Sequence, residues 1–451
     1  MKLSSTCMAA LLSAVLVWSC SSGSANGTSP GTSGRTPDGG MGGLDASASG
    51  DDAPAGSSGG ASDGAAASDA AANDAPVDAA GSDAVGLEPW PPTGPTYPAP
   101  GQHTGTGVLP PKVTSTTYTG QLIYDNKQIV RDLGFSGIVN GQIVWTFGDT
   151  LLDMGNGNTP FCATDSTGLG DLSNPVLVHD KALNGSCPKE WIPFWSTEMN
   201  TPYSYGEGGT NVIEYAPNKG LVWFLKNKRG NGIPGAGIII GAGVATVTAT
   251  ADGGAVATRQ SDYMWGSDSG STEPWWGDIG VAYDPIDQDA YVYGHGPSTA
   301  SLSDYGYLAK VPASQATDST KYQYWDESKQ SWTTQRFSNG SSGTLNVTSA
   351  MAIFPQYAVN QANPFWSNYF NTWMLIHGSG YPNSQVMVMT APKLEGPWKE
   401  WGGIADSCTP NVTCGTRYAI TGHPEYDITG KTIFVTWTDA NNIYGVRIEW
   451  Q

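Results

Sequence analysis

Beyond about residue 99 the chain reads as short runs of alternating apolar and polar residues, broken every few positions by Gly, Pro, Asn or Asp. A period of two in runs of this length predicts strands, and no heptads and few stretches of helical periodicity interrupt them, so the fold class expected is all-β. One unit recurs: an inner strand, a tight turn, a long strand and a polar end. "RDLGFSGIVNGQIVWTFGDT" shows it at 131–150, with Asn140-Gly141 as the turn. "GHPEYDITGKTIFVTWTDANNIYGVRIEW" shows it at the end of the chain, with Thr429-Gly430 as the turn. Asn-Gly between alternating runs is a strong hairpin signal. Further copies start at Glu207 ("EGGTNVIEYAPNKGLVWFLKNKRG"), near Asp278 ("GDIGVAYDPIDQDAYVYGHG") and near Ser349 ("TSAMAIFPQYAV", then "NTWMLIHGSG"). The starts at 132, 207, 278, 349 and 423 lie 71–75 residues apart. Five near-equal units predict a five-bladed β-propeller over 99–451, its innermost strands lining a central channel. A β-sandwich would also alternate, but the repeat period favours the propeller.

The first 98 residues break this pattern. Met1-Lys2 is followed by the apolar run "CMAALLSAVLVW", too short to span a membrane, and then by Ser19-Cys20. This predicts a lipoprotein signal over 1–20 with Cys20 as the lipidated residue. Ser21, rather than Asp, follows it, as in outer-membrane sorting. An ordinary secretory signal cut nearby is the alternative. Residues 21–98 are Ser, Gly, Ala, Asp, Thr and Pro, with almost no large apolar residue before Trp90. Such a segment cannot bury enough surface to offset its ordering entropy, and it reads as a flexible tether. The expectation is an exported domain, attached to the cell envelope only through its lipid, at the outer membrane or cell surface.

Charge narrows the partners. The formal net charge is −19, roughly half of it in the tether, which disfavours nucleic acid. Cys162, Cys187, Cys408 and Cys414 remain after export, an even number that suggests two disulfides in an oxidising compartment. Proximity favours Cys162–Cys187 and Cys408–Cys414. No metal-type cysteine spacing, HExxH, P-loop, GxSxG or dinucleotide fingerprint is present. The expectation is a monomer without a cofactor.

Carboxylates recur near the starts of the inner strands. The first unit offers Asp132 and Asp149, the second Glu207, the third Asp278, and the fifth His423 and Glu425. Two facing carboxyls, one protonated and one ionised, are what glycoside hydrolysis requires, and burial with mutual repulsion separates their pKa values. An Asp at a strand end also caps turns, the commoner role for any one of them. Asp132 with Asp149 reads as the catalytic pair, because one short hairpin could bring both to one end. Glu207, Asp278 and His423 are candidate substrate contacts. Trp276, beside Asp278, is the candidate platform for a sugar ring, whereas Trp145, Phe147 and Trp373 sit inside strands and read as packing.

"DLGFSGIVNGQIVWTFGDT" resembles the opening signature of domain-of-unknown-function family 4185. "GVATV", "GDIGVAYD", "TAPKLEGPW" and "HPEYDITGKTIFVTWT" resemble it in the right order, over about residues 110–451. The family resembles five-bladed-propeller glycosidases, and some members, grouped as glycoside hydrolase family 183, are endo-acting D-arabinanases. By position the resemblance implies a catalytic role for Asp132 and Asp149, a polysaccharide substrate such as arabinan, and an axial calcium as in related-looking propellers. Insertions at about 155–200 and 250–275 set this chain apart beside the expected site. A non-catalytic carbohydrate-binding or surface-display propeller is the alternative, and a protein-interaction propeller a third.

Overall fold

The computed structural model describes residues 90–451 apart from 103, 107–108, 156–158, 199–203, 230–236, 268–269, 298–300, 357, 381–383 and 411–412. The export signal, Cys20 and the tether up to residue 89 lie outside the described residues. The described chain is all-β, and five large sheets follow one another along it. The first runs from Phe135–Val139 through Gln142–Phe147 and Ser166–Gly170 to Leu177–His179, with Ile123–Tyr124 on its far edge. Asn140 and Gly141 both have positive φ (52° and 74°), so the Asn-Gly turn forms as its residues require. The second sheet is built on Tyr205–Gly209, Ile213–Ala216, Lys219–Lys228 and Ile238–Ala249. The third begins with Trp275–Asp284 and Asp289–His295, and the fourth with Asn363–Ser367 and Thr372–Gly378. The fifth comprises Arg417–His423, Thr432–Asp439 and Asn442–Trp450 and is completed by the early strand Val113–Gln121.

Each sheet's inner strand touches the next sheet, and the fifth inner strand touches the first. Gly137 allows the closest of these approaches, since a Cβ there would collide with the Val212 carbonyl. Large side chains fill the spaces between sheets: Trp145, Phe147, Trp223, Trp276 and Trp437 are 1% exposed or less. Burying each such side chain contributes about 2–3 kcal/mol. Trp145, Phe147 and Trp373 are thus packing residues, as their strand positions suggest.

Two inner strands differ from the sequence reading. Ser349–Met351 is a short 3-10 helix, and the fourth inner strand is Asn363–Ser367. Pro355 interrupts the earlier run, which leaves Phe354 only an isolated bridge to Gly306. In the fifth unit His423 ends the inner strand rather than beginning it, and Pro424–Tyr426 turns as a 3-10 helix.

Both expected disulfides are present, Cys162–Cys187 and Cys408–Cys414. Among the described residues no helix is long and apolar enough to cross a membrane. Residues 90–98, read from composition as tether, are held against the sheets. Trp90 packs edge-on against Tyr426 and Phe434 and lies 4.7 Å from the Arg447 guanidinium. Gly94 N–H donates to the Glu425 carbonyl (2.9 Å), and the Tyr97 ring meets Tyr283 edge-on. Tyr97 thereby helps close a cavity of about 70 Å³ at the ends of the inner strands, lined also by Ser136, Asn211, Val281, Asn363 and Glu425. Four sheets and the 3-10 helix that follows the fifth inner strand contribute to that rear cavity.

Candidate active site

The starts of the inner strands form the opposite end, here called the mouth. Asp132 precedes Phe135–Val139 and Asp149 follows Gln142–Phe147, so the two close the open end of one hairpin. Asp132 N–H donates to the Asp149 carbonyl (3.0 Å), and Gly148 N–H donates to the Asp132 carbonyl (2.7 Å). The side chains are 0% and 2% exposed. Neither carboxyl oxygen of Asp132 has a hydrogen-bond partner at ordinary distance. Burial pushes its pKa up to about 8, reinforced by Asp149 and only partly offset by Tyr418, the Leu133 N–H and Arg229. Burial also raises Asp149, but Arg229 Nη2 donates to its Oδ1 at 2.7 Å and pulls it back. Asp149, alone in contact with a guanidinium, is the member of the pair whose charge the site favours.

Asp278 reaches the mouth through an irregularity. The pairing of Trp275–Asp284 with its neighbour skips between Trp276 and Gly280, and Gly277 and Gly280 both have positive φ (97° and 149°). Such a bulge re-aims a side chain. Asp278 Oδ2 lies 2.5 Å from His295 Nδ1, and Gln361 Nε2 donates to Oδ1 at 3.3 Å. The other ring nitrogen of His295 faces the Val359 carbonyl at 3.1 Å, which can only accept. Both nitrogens are satisfied as donors only in the imidazolium. Burial opposes that charge, yet the Asp278 hydrogen bond outweighs it and the pKa is raised.

Glu207 lines the mouth but is also tied into a cluster of ion pairs. Its Oε1 accepts from Arg259 Nη1 at 3.1 Å, and Arg259 also holds Glu198 (2.7 Å), which Lys226 contacts too. Burial pushes Glu207 well above the carboxylate range while Arg259 opposes it. Burial opposes the charge on Glu198, but Arg259 and Lys226 hold its pKa down at about 2. Glu198 and Arg259 come from the two insertions, and Arg259 ends the strand Ala255–Arg259 at the far edge of the same sheet.

Beside these groups lies a cavity of about 30 Å³, room for a water or two, lined by Leu133, Gly148, Glu207, Gly208, Arg229, Asp278 and Gln361, with Asp132 and Asp149 next to it rather than in its wall. Four sheets or their lead-in segments supply it. Arg229 Nε and Nη1, Gln361 Oε1 and Glu207 Oε2 are buried beside it without partners. Leu133 and Ala419 adopt positive φ (55° and 50°), strain that persists only where the surroundings enforce it and that clusters at functional sites.

His423 and Trp276 do not belong to this recess. His423 is fully buried toward the rear, with Nδ1 2.5 Å from Ser136 Oγ and Nε2 2.8 Å from Thr436 Oγ1. Both ring nitrogens are used, so it does not fit as the ligand of an axial cation. Among the described residues no group of three or more His, Cys, Asp or Glu could hold a metal ion. Trp276 is 0% exposed and packs against Tyr324, so it offers no face to a sugar. At the mouth the fifth sheet instead supplies Tyr418, beside Asp132. Arg229, Gln361 and Tyr418 escaped the sequence reading. "KNKRG", a basic cluster in an acidic chain, could have flagged Arg229. Gln361 and Tyr418 carry no local signal.

No family description matches the chain, and no curated protein does. Several solved structures are similar. A hydrolase described as putative, from Bacteroides ovatus, is 14% identical over 73% of this chain and 86% of its own, with a TM-score of 0.49. An exo-β-1,3-galactanase from Phanerochaete chrysosporium is 12% identical over 74% and 64%, with a TM-score of 0.41. A glycoside hydrolase family 43 β-xylosidase/α-arabinofuranosidase from a compost metagenome is 12% identical over 75% and 94%, with a TM-score of 0.42. Likeness of this order leaves the function to the site itself.

Proposed function

We propose that this chain is a glycoside hydrolase acting on an extracellular polysaccharide, built as a five-bladed β-propeller and held to the cell envelope through lipid on Cys20. One observation carries the catalytic reading: Asp132, fully buried with its pKa pushed up to about 8, lies beside Asp149, whose carboxyl the Arg229 guanidinium contacts at 2.7 Å, at one hairpin end. The neutral acid gives its proton to the glycosidic oxygen as the C–O bond breaks. The ionised partner either takes a proton from the attacking water or itself attacks the anomeric carbon. The ring of sheet contacts and the pairing of Val113–Gln121 with Asn442–Trp450 support the propeller. The family resemblance makes arabinan the first polymer to test.

The test is product release from arabinan, xylan and galactan by the wild type, Asp132→Asn and Asp149→Asn. Equal release from all three proteins would sink the assignment. The complete burial of Asp132 favours a second reading, a carbohydrate-binding propeller without catalysis. Under it the wild type retains oligosaccharides and releases nothing. Attachment is tested by labelled fatty acid, which Cys20→Ser would fail to incorporate.

A further inference from the structure

We propose that Gly208 sets the specificity of the recess: the space left by its missing side chain takes part of a bound sugar ring, and residue size at 208 decides which rings enter. This deepens the hydrolase reading and rests on it. Gly208 lies within the strand Tyr205–Gly209, paired with Leu225, half-buried and lining the recess. Its φ is not in the left-handed region, so the backbone does not require glycine. A Cβ there would meet no atom within 4 Å.

The neighbouring glycines are different. A Cβ on Gly206 would run into the Arg229 guanidinium, with Nε at 2.6 Å. One on Gly209 would press on Ile192 and Val222, both at 3.1 Å. Packing accounts for those two. At Gly208 neither strain nor packing accounts for the absence of a side chain, and glycine within a strand forgoes stability that a β-branched residue would supply. What the absence provides is room, and it provides it where unmatched polar groups wait. Arg229 contributes two free donors and Gln361 a free acceptor, on side chains 2–3% exposed, beside the Asp278 carboxyl. Donors and acceptors together suit a neutral polyhydroxylated ring, whose hydroxyls do both. An anion would meet the acceptors of Asp278 and Gln361.

The test uses the full chain with Gly208→Ala and Gly208→Val. Substrates are arabinan, xylan and galactan and the matching nitrophenyl arabinofuranoside, xyloside and galactoside. The expected result is an unchanged melting temperature, with KM rising from alanine to valine by about tenfold or more and kcat changing less. The bulkier hexoside should be lost before the pentosides. A Gly208→Val protein with wild-type melting temperature and unchanged kcat/KM on every substrate overturns the proposal. Should the valine variant melt early, unchanged kcat/KM in Gly208→Ala does the same. If the wild type cuts none of the panel, the hydrolase reading fails, and calorimetric binding of arabino-, xylo- and galacto-oligosaccharides decides instead. Binding by the wild type that Gly208→Val abolishes keeps Gly208 as the gate, while no binding by the wild type overturns both.

Discussion

The two ends of the same inner strands are chemically unlike. At the rear, polar groups find protein partners: Asn211 exchanges two hydrogen bonds with Val281, and Asn363 donates to Gly422. Ser136 joins His423 to Glu425, and the segment 90–98 covers what remains. At the mouth, Asp132, Arg229, Gln361 and Glu207 keep buried polar atoms unmatched, beside left-handed residues at 133, 277 and 419. A buried unmatched group costs about 1–3 kcal/mol. The rear therefore contributes stability and the mouth gives some of it up, which is the pattern of a site awaiting a ligand.

The sharpest break of this contrast is catalytic. Asp132→Asn and Asp149→Asn should each lower kcat by about 10²–10⁴-fold with the fold retained, as read by product release and circular dichroism. Next comes the pH dependence of stability. Asp132 has a folded pKa of about 8, above an unfolded value of about 4. The folded state thus holds the extra proton, and this contribution to stability is lost as pH rises from about 4 through about 8. Asp132→Asn cannot lose it, so its melting temperature should overtake the wild type's as pH rises across that window. A constant difference would contradict the raised pKa.

Smaller effects sharpen the comparison. Replacing Cys162 and Cys187 by Ser opens a loop of 25 residues beside the mouth and should cost about 3 kcal/mol in denaturant unfolding. Opening Cys408–Cys414, separated by 6 residues, should cost less. Asn211→Ala, at the rear, should cost about 1–3 kcal/mol and leave kcat/KM unchanged. If it lowered kcat/KM instead, the two ends would not be functionally separate.

Much of this organisation was legible in the sequence because it is local. Alternation gave the strands, and Asn140-Gly141 gave its turn through the positive φ that both residues accept. Asp132 and Asp149 could be joined because one hairpin links them. Glu207 and Trp276 were placed near the right strands, but their orientation depends on partners far along the chain, Arg259 and Tyr324. The fourth inner strand was misplaced because "SAMAIF" alternates as well as "NPFWS" does, and only pairing with Thr372–Gly378 separates them. Gln361 and Tyr418 became visible only when other sheets brought Asp278 and Asp132 beside them.

The strand Val113–Gln121 lies antiparallel to the last strand of the chain; Trp90 is fastened to the same sheet through Arg447, and Gly94 to the 3-10 helix beside it through Glu425. Mechanically, both ends of the described chain share one anchorage. A pull on the chain ahead of Trp90 would load the fifth sheet first, as shear along paired strands. Arg229 and Asp278 belong to other sheets and would carry that load only after the shared anchorage had begun to yield.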